Sequence, residues 1–168
     1  MELYIVRHGP AAERNPQRWA DDDRRPLTPE GVRETRKAVR GFARLVGKVD
    51  RLFSSPAVRA HRTAELLLEE LKDAPELELM DLLAPGSPAV GILGEMHQIA
   101  RPRSRVVLVG HEPTLGELIG LAVTGEAVSI ARLAKAGAAA LEFPRAVLPS
   151  AARLTWLMSR KQLGRAAD

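Results

Sequence analysis

The stretch Leu3-Tyr4-Ile5-Val6-Arg7-His8-Gly9-Pro10 decides the fold of this chain. Its first four residues are aromatic, aliphatic or β-branched, which is typical of a buried strand. The strand ends abruptly because Gly9 lets the backbone bend and Pro10 has no N–H to continue a ladder. Arg7 and His8 therefore lie at the carboxyl end of the strand, which is the edge where open α/β sheets bind ligands.

Strand-like and helix-like segments alternate along the rest of the chain. Thr28 before Pro29 is a helix-start signal. The apolar run at residues 106–109 is typical of a central parallel strand. We predict strands at 3–6, 49–53, 76–80, 105–109, 138–143 and 154–158, and helices at 29–46, 57–71, 87–99 and 113–122.

This alternation predicts a three-layer α/β/α sandwich with a mainly parallel central sheet. The chain has 168 residues, of which 45% are hydrophobic, so it suffices for one domain with a substantial core. We expect that single domain over residues 1–158. The polar residues 159–168 are expected to form a C-terminal tail that frays.

Composition narrows the classes of function. The absence of cysteine excludes disulfides, thiolate metal sites and a cysteine nucleophile. The net charge is +4, but the basic residues are interspersed with acids, and one Tyr and three Phe are too few for a base-stacking surface. We therefore expect no nucleic-acid partner. Charges interrupt the apolar stretches and no signal peptide is evident, so we expect a cytoplasmic protein without a membrane partner.

Three predicted strand ends carry side chains suited to an anion. Arg7 and His8 end the first strand, Arg59 lies in the first turn of the helix after the second, and His111 follows the strand at 105–109. If these strands are parallel neighbours, the four side chains meet at one edge of the sheet. Guanidinium groups match phosphate oxygens in geometry, so a phosphoryl group is the preferred ligand.

This combination favours phosphoryl transfer. Fixed arginines stabilise the charge that spreads over the equatorial oxygens of the transition state. A neutral imidazole is a competent nucleophile at neutral pH, so His8 is the candidate nucleophile and a phosphohistidine the intermediate. His111 is predicted to bond a phosphoryl oxygen or to manage a proton. We expect no metal or other cofactor, because the arginines supply the positive charge.

Four motifs in order carry a resemblance to a known family. Residues 6–9 (VRHG) resemble the signature of the histidine phosphatase superfamily, the phosphoglycerate mutase-like fold. Residues 26–31 (PLTPEG), 55–60 (SPAVRA) and 109–113 (VGHEP) are similar to its further motifs. The chain looks most like the compact SixA-type branch, the protein phosphohistidine phosphatases. The resemblance implies a nucleophile at His8, phosphate binding at Arg7 and Arg59, and phosphate or proton handling at His111.

Many members of this superfamily use a carboxylic acid to protonate the leaving group. Glu112 and Asp81 are the candidates for that role in this chain. The compact branch tends to lack an obvious acid. This lack is tolerable for a phosphoramidate, whose imidazole departs more easily than an alkoxide, and it favours phosphohistidine as the substrate.

Other residues admit plainer interpretations. Asp21, Asp22 and Asp23 are predicted to form a solvated loop, because consecutive carboxylates do not converge on a metal. Trp19 borders the site or packs on the domain, and a structural role is favoured for His61. Ser55 either offers its hydroxyl to the site or belongs only to a turn.

The sequence thus predicts a metal-independent phosphatase. Its expected substrate is a phosphohistidine protein, such as a histidine-containing phosphotransfer domain, because the short chain has no room for an inserted cap. A phosphatase of small phosphate esters and a phosphomutase are enzymatic alternatives. A non-catalytic phosphate-binding regulatory module is the alternative outside enzymes.

Overall fold

A six-stranded mixed sheet forms the centre of the protein, which a computed structural model describes for residues 1–167. The strand order is β3-β2-β4-β1-β5-β6. The first four strands in this order are mutually parallel, whereas β5 and β6 are antiparallel to their neighbours. The strands are β1 (Glu2–Arg7), β2 (Arg51–Ser54), β3 (Leu77–Leu79), β4 (Arg105–Gly110), β5 (Ala138–Glu142) and β6 (Arg153–Met158).

Helices cover both faces of this sheet, so the predicted α/β sandwich is confirmed. As expected, Thr28 caps the first helix, where its side chain accepts a hydrogen bond from the Gly31 N–H at 2.9 Å. The helices are α1 (Pro29–Val46), α2 (Val58–Leu68), α3 (Ala89–Ile99), α4 (Thr114–Thr124) and α5 (Arg160–Arg165), with 3₁₀ turns at Asp22–Arg24 and Asp81–Leu83.

Strand β1 is buried on both faces, as its sequence predicts. Leu3 and Ile5 pack into the core formed with α3 and α4. Tyr4 and Val6 point to the other face and pack with α1, α2 and α5. Since successive side chains of a strand alternate between faces, one apolar run joins both halves of the core. This burial fixes where the strand ends, and with it the position of the residues that follow.

The C-terminal segment is not a frayed tail, so that prediction is wrong. Ser159 and Gln162 form a reciprocal capping box that starts α5. Leu163 is only 1% exposed, and α5 packs directly on α1. A Cβ at Gly41 of α1 would lie 1.8 Å from the Leu163 carbonyl oxygen, so a glycine is needed for this close approach. The folded unit therefore extends past residue 158, and Asp168 lies outside the described residues.

Candidate active site

The ends of three parallel strands meet at the carboxyl edge of the sheet. Arg7 at the end of β1 pairs with Gly110 at the end of β4, and Ser54 at the end of β2 pairs with Val109. The residues that follow these strands consequently lie side by side. The rings of His8 and His111 are 5.0 Å apart between centroids.

The contacts of His8 define its tautomer. Its Nδ1 lies 2.8 Å from the Gly9 carbonyl oxygen, which can only accept a hydrogen bond. Nδ1 therefore carries the proton, and the lone pair is on Nε2. His8 is 6% exposed. Burial lowers its pKa to about 3, so the ring is neutral near pH 7.

The backbone around His8 is held by two helices. The Gly9 N–H donates to Thr63 Oγ1 of α2 at 3.0 Å, and the Thr63 hydroxyl donates to the Arg59 carbonyl. A Cβ at Gly9 would lie 2.0 Å from Thr35 Oγ1 of α1. Only glycine fits between the turn and this helix, and that fit fixes the position of the imidazole.

His111 contacts a serine that the sequence left open between two roles. His111 Nε2 lies 2.9 Å from Ser55 Oγ, and this oxygen also accepts the Ala57 N–H at 3.2 Å. Ser55 thus serves both the turn and the site. Burial first, and then the neighbouring His8, lower the pKa of His111 to about 3.

Two arginines enter the same site. Arg7 Nη1 donates to the Leu133 carbonyl at 2.8 Å. Arg59 is 2% exposed, and its Nη1 donates to the Asp22 carbonyl at 2.7 Å. Burial lowers the pKa of both guanidinium groups, which nevertheless stay charged near pH 7.

Several buried polar atoms at the site have no hydrogen-bond partner. Among the described residues, the buried side-chain atoms without a hydrogen bond include Arg7 Nε, Arg59 Nε and His111 Nδ1. Buried polar groups are normally paired, so such atoms require an explanation. The two guanidinium Nε–H groups would be paired by the acceptor oxygens of an anion bound beside His8.

Asp22 is a site residue that the sequence analysis missed. Its carboxylate lies 3.2 Å from Arg59 Nη2 and 3.1 Å from Arg25 Nε, so this partly exposed residue of the acidic segment also pairs with an arginine of the site. The hydrogen bond from Arg25 is the main cause that lowers the pKa of Asp22. The sequence does contain one indication that Asp22 forms an ion pair, because Arg25 follows it by three residues. The pairing with Arg59 is not visible in the sequence, because the two residues are 37 positions apart.

The two candidate acids occupy other positions. Glu112 accepts the Leu133 N–H at 2.6 Å with one oxygen and the Gly116 N–H at 3.2 Å with the other. It thereby braces the loop whose Leu133 carbonyl holds Arg7. Asp81 is exposed at the start of a 3₁₀ turn, and in residues 1–167 no hydrogen bond or ion pair joins its carboxylate to the four predicted site residues.

His61 and Trp19 make local contacts. His61 Nδ1 lies 3.4 Å from Glu65 on the same helix. The Arg18 guanidinium lies 5.2 Å from the centroid of the Trp19 ring. Neither contact reaches His8 or His111.

No helix within residues 1–167 is long and apolar enough to cross a membrane.

Comparisons with known proteins define the class. Residues 3–84 match the model of the histidine phosphatase superfamily, branch 1. A protein of unknown function from Picosynechococcus sp. is 36% identical over 139 residues, which cover 82% of each chain. Phosphohistidine phosphatase SixA of Escherichia coli strain K12 is 29% identical over 128 residues, which cover 75% of this chain and 76% of SixA.

A solved structure has the same fold. The protein histidine phosphatase SixA, complexed with tungstate, superposes with a TM-score of 0.82 at 24% identity, over 97% of this chain and 99% of that chain. Fold, sequence and family model together place the protein among phosphatases. The chain belongs to the histidine phosphatase superfamily and is similar to SixA in sequence and in fold.

Proposed function

We propose that this phosphatase removes the phosphoryl group from phosphohistidine on a protein, and that His8 is its nucleophile. The observation that carries the proposal is the state of His8: a neutral ring whose proton is held on Nδ1 by Gly9. Its Nε2 lone pair is free to attack. The buried, unpaired polar atoms of Arg7, Arg59 and His111 lie at the same edge of the sheet and suit a phosphoryl group.

The first chemical step transfers the phosphoryl group to the enzyme. Nε2 of His8 forms a bond to phosphorus while the P–N bond of the substrate breaks, and its electron pair returns to the leaving imidazole, which takes a proton from solvent. The His8 ring becomes cationic, and the Gly9 carbonyl stabilises it through Nδ1–H. Arg7 and Arg59 stabilise the equatorial oxygens.

The second step returns the enzyme to its starting state. Water attacks phosphorus opposite the Nε2–P bond, which breaks and leaves its electron pair on Nε2. Inorganic phosphate departs with the oxygen from water, and the proton released goes to solvent. His8 is again neutral, because its pKa lies far below the pH.

The carboxylates near the site favour a leaving group that needs little protonation. Asp22 has a lowered pKa and is ionised near pH 7, so it does not supply a proton there. Both oxygens of Glu112 are occupied by backbone N–H groups. An alkoxide would need a proton more than an imidazole does, which favours phosphohistidine over a phosphate ester.

The connections around the site favour a substrate that projects from a partner. Residues 80–88 join β3 to α3, and residues 111–113 join β4 to α4. The longer segments 8–28 and 125–137 also border the site, where Asp22 of the first contacts Arg59 and Leu133 of the second contacts Arg7. Within residues 1–167, none of these four segments carries an inserted domain that covers the site. A side chain on a protein surface therefore has access to His8, whereas a mutase would need a cover that excludes water.

A substrate panel tests the proposal. The panel contains a phosphohistidine protein, phosphoserine and phosphotyrosine peptides and small phosphate esters, each assayed with and without a chelator. We expect the highest kcat/KM on phosphohistidine, no effect of the chelator, and a labelled intermediate that is acid-labile, as a phosphoramidate is. Faster turnover of small esters than of phosphohistidine would refute the substrate assignment, and an acid-stable intermediate would refute the nucleophile.

A further inference from the structure

A second basic region lies at the opposite edge of the sheet. A cleft of about 830 Å³ opens where β1 and β4 begin. Its walls are the turn before β4, at residues 101–105, and the segment after β5, at residues 143–147. A strand rises about 3.3 Å per residue, so the length of β1 puts roughly 17 Å between this cleft and the site around His8.

The cleft contains cations that the protein itself does not neutralise. Arg101, Arg103 and Arg145 line it, and all three are exposed. Within residues 1–167 their side chains have no hydrogen bond or ion pair. Glu142 is the carboxylate in the lining that lacks a partner there, so the three arginines leave an excess of positive charge.

A neighbouring arginine shows the contrast. Arg105 also lines the cleft, but its Nε lies 3.3 Å from Glu2 and its Nη1 donates to the Val46 carbonyl at 3.1 Å. It is therefore committed to the protein. The N–H groups of the other three guanidinium groups remain available to a ligand.

The turn that carries two of these arginines is well defined. The Ser104 N–H donates to the Arg101 carbonyl at 3.1 Å, and Pro102 is the second residue of the turn. Arg103, the third residue, has a φ of 62°, as in a type II turn. Glycine or asparagine is the usual residue there, because most other side chains are strained at positive φ. An arginine at this position projects its charge from a fixed backbone.

We propose that this basic cleft binds a small anion that carries two or more phosphoryl groups. Guanidinium forks pair with phosphate oxygens, and three of them match several phosphoryl groups better than one. The volume lies in the range of small-molecule sites, about 300–1,000 Å³. This site is separate from the phosphatase chemistry, and the proposal does not depend on the substrate of that chemistry.

The location of binding is tested by NMR on the intact protein. The probe is the β,γ-methylene analogue of ATP, whose terminal bridge a phosphatase does not hydrolyse. We expect saturable shifts of backbone amides at residues 101–105 and 143–147, in addition to any at the catalytic edge. Shifts confined to residues near His8 would overturn the proposal.

Calorimetry with matched variants tests the residues. The cleft variant combines Arg101→Ala, Arg103→Ala and Arg145→Ala, and a control removes three cations elsewhere through Lys48→Ala, Lys72→Ala and Arg153→Ala. An exposed ion pair is worth about threefold in affinity, so we expect the loss of three arginines to weaken binding of the probe on the order of thirtyfold. The control should bind like the wild type, and the unfolding temperature of each variant verifies that it folds.

Two outcomes contradict the proposal. Equal weakening in both variants would mean that only the net charge matters. Tighter binding of a single-stranded oligonucleotide or of an acidic peptide than of the ATP analogue would make this edge a docking surface for a macromolecule instead.

Discussion

The two edges of the sheet use arginine in different ways. At the carboxyl edge, Arg59 is 2% exposed and is held by the carbonyl and carboxylate of Asp22. At the amino edge, Arg103 and Arg145 are exposed and have no partner in residues 1–167. At the carboxyl edge the guanidinium group is therefore held in place before a ligand binds, whereas at the amino edge the guanidinium groups are free to move.

This difference matches two kinds of task. A fixed guanidinium stabilises developing charge without having to reorganise during the reaction, which is what catalysis requires. A free arginine loses rotamer freedom when it binds, so its contact is weaker and more readily reversed. We therefore expect substitutions at the carboxyl edge to affect rate strongly, and substitutions at the amino edge to affect binding moderately.

The largest effect is expected for His8→Ala. This variant lacks the proposed nucleophile, and loss of a nucleophile costs on the order of 10⁴-fold or more in kcat. Steady-state assays on a phosphohistidine protein measure it, and trapping of the labelled intermediate shows whether it still forms. His61→Ala is the matched control, with a change below about twofold. Retained turnover in His8→Ala would assign the chemistry to another group.

Arg59→Lys tests whether fixed geometry matters in addition to charge. Lysine keeps the positive charge but lacks the planar fork and the buried Nε. Because a well-placed arginine is worth about 10³–10⁵ in phosphoryl transfer, we expect kcat/KM to fall roughly 10²- to 10³-fold. Arg40→Lys is the control, since Arg40 is exposed and pairs with Glu70 on the surface. A similar small loss in both variants would erase the distinction between the two edges.

The sequence predicted the carboxyl edge better than the rest of the molecule. Strands β1 and β4 are apolar on both faces, so their type and burial follow from local pattern. Arg7 ends β1, His8 and His111 directly follow β1 and β4, and the parallel pairing brings the three together. When a residue lies at the end of a strand with a clear apolar pattern, the neighbouring sequence is enough to predict its position.

Contacts between distant segments were not predictable in this way. Asp22 meets Arg59 only because α2 packs beside the 3₁₀ turn, and the one local signal, Arg25 three residues after Asp22, does not point to Arg59. Helix α5 was missed because its sequence is polar apart from the buried Leu163 and Gly164. The pair Ser159 and Gln162, which has the spacing of a capping box, was the local indication that a helix starts there.

The buried histidines give the carboxyl edge a pH dependence. In the unfolded chain His8 and His111 bind protons near pH 6.5, whereas in the folded protein their pKa values are lowered to about 3. The unfolded state therefore binds more protons in this window, so stability falls as the pH drops below about 6.5. Between about pH 6.5 and 5, each histidine should lower the free energy of unfolding by about 2 kcal/mol.

Urea unfolding at several pH values measures this dependence. His8→Ala and His111→Ala should each remove about half of this pH-dependent contribution to the free energy of unfolding. The same pKa values predict no loss of activity from histidine protonation between about pH 7 and 5. An acid limb of kcat/KM near pH 6.5 would show that His8 is not neutral in the way that its burial implies.

The smallest effect concerns the strained turn at the amino edge. Arg103→Gly should raise the free energy of unfolding by about 1 kcal/mol, because glycine adopts positive φ without the steric cost that arginine carries. Arg101→Gly in the same turn is the control: its φ is not among the positive values, so glycine should bring no gain there. A gain in stability together with weaker binding of the ATP analogue would mean that the chain keeps a strained arginine where it serves a ligand. If Arg103→Gly is no more stable than Arg101→Gly, the turn stores no strain, and the argument for a built site at this edge loses one of its supports.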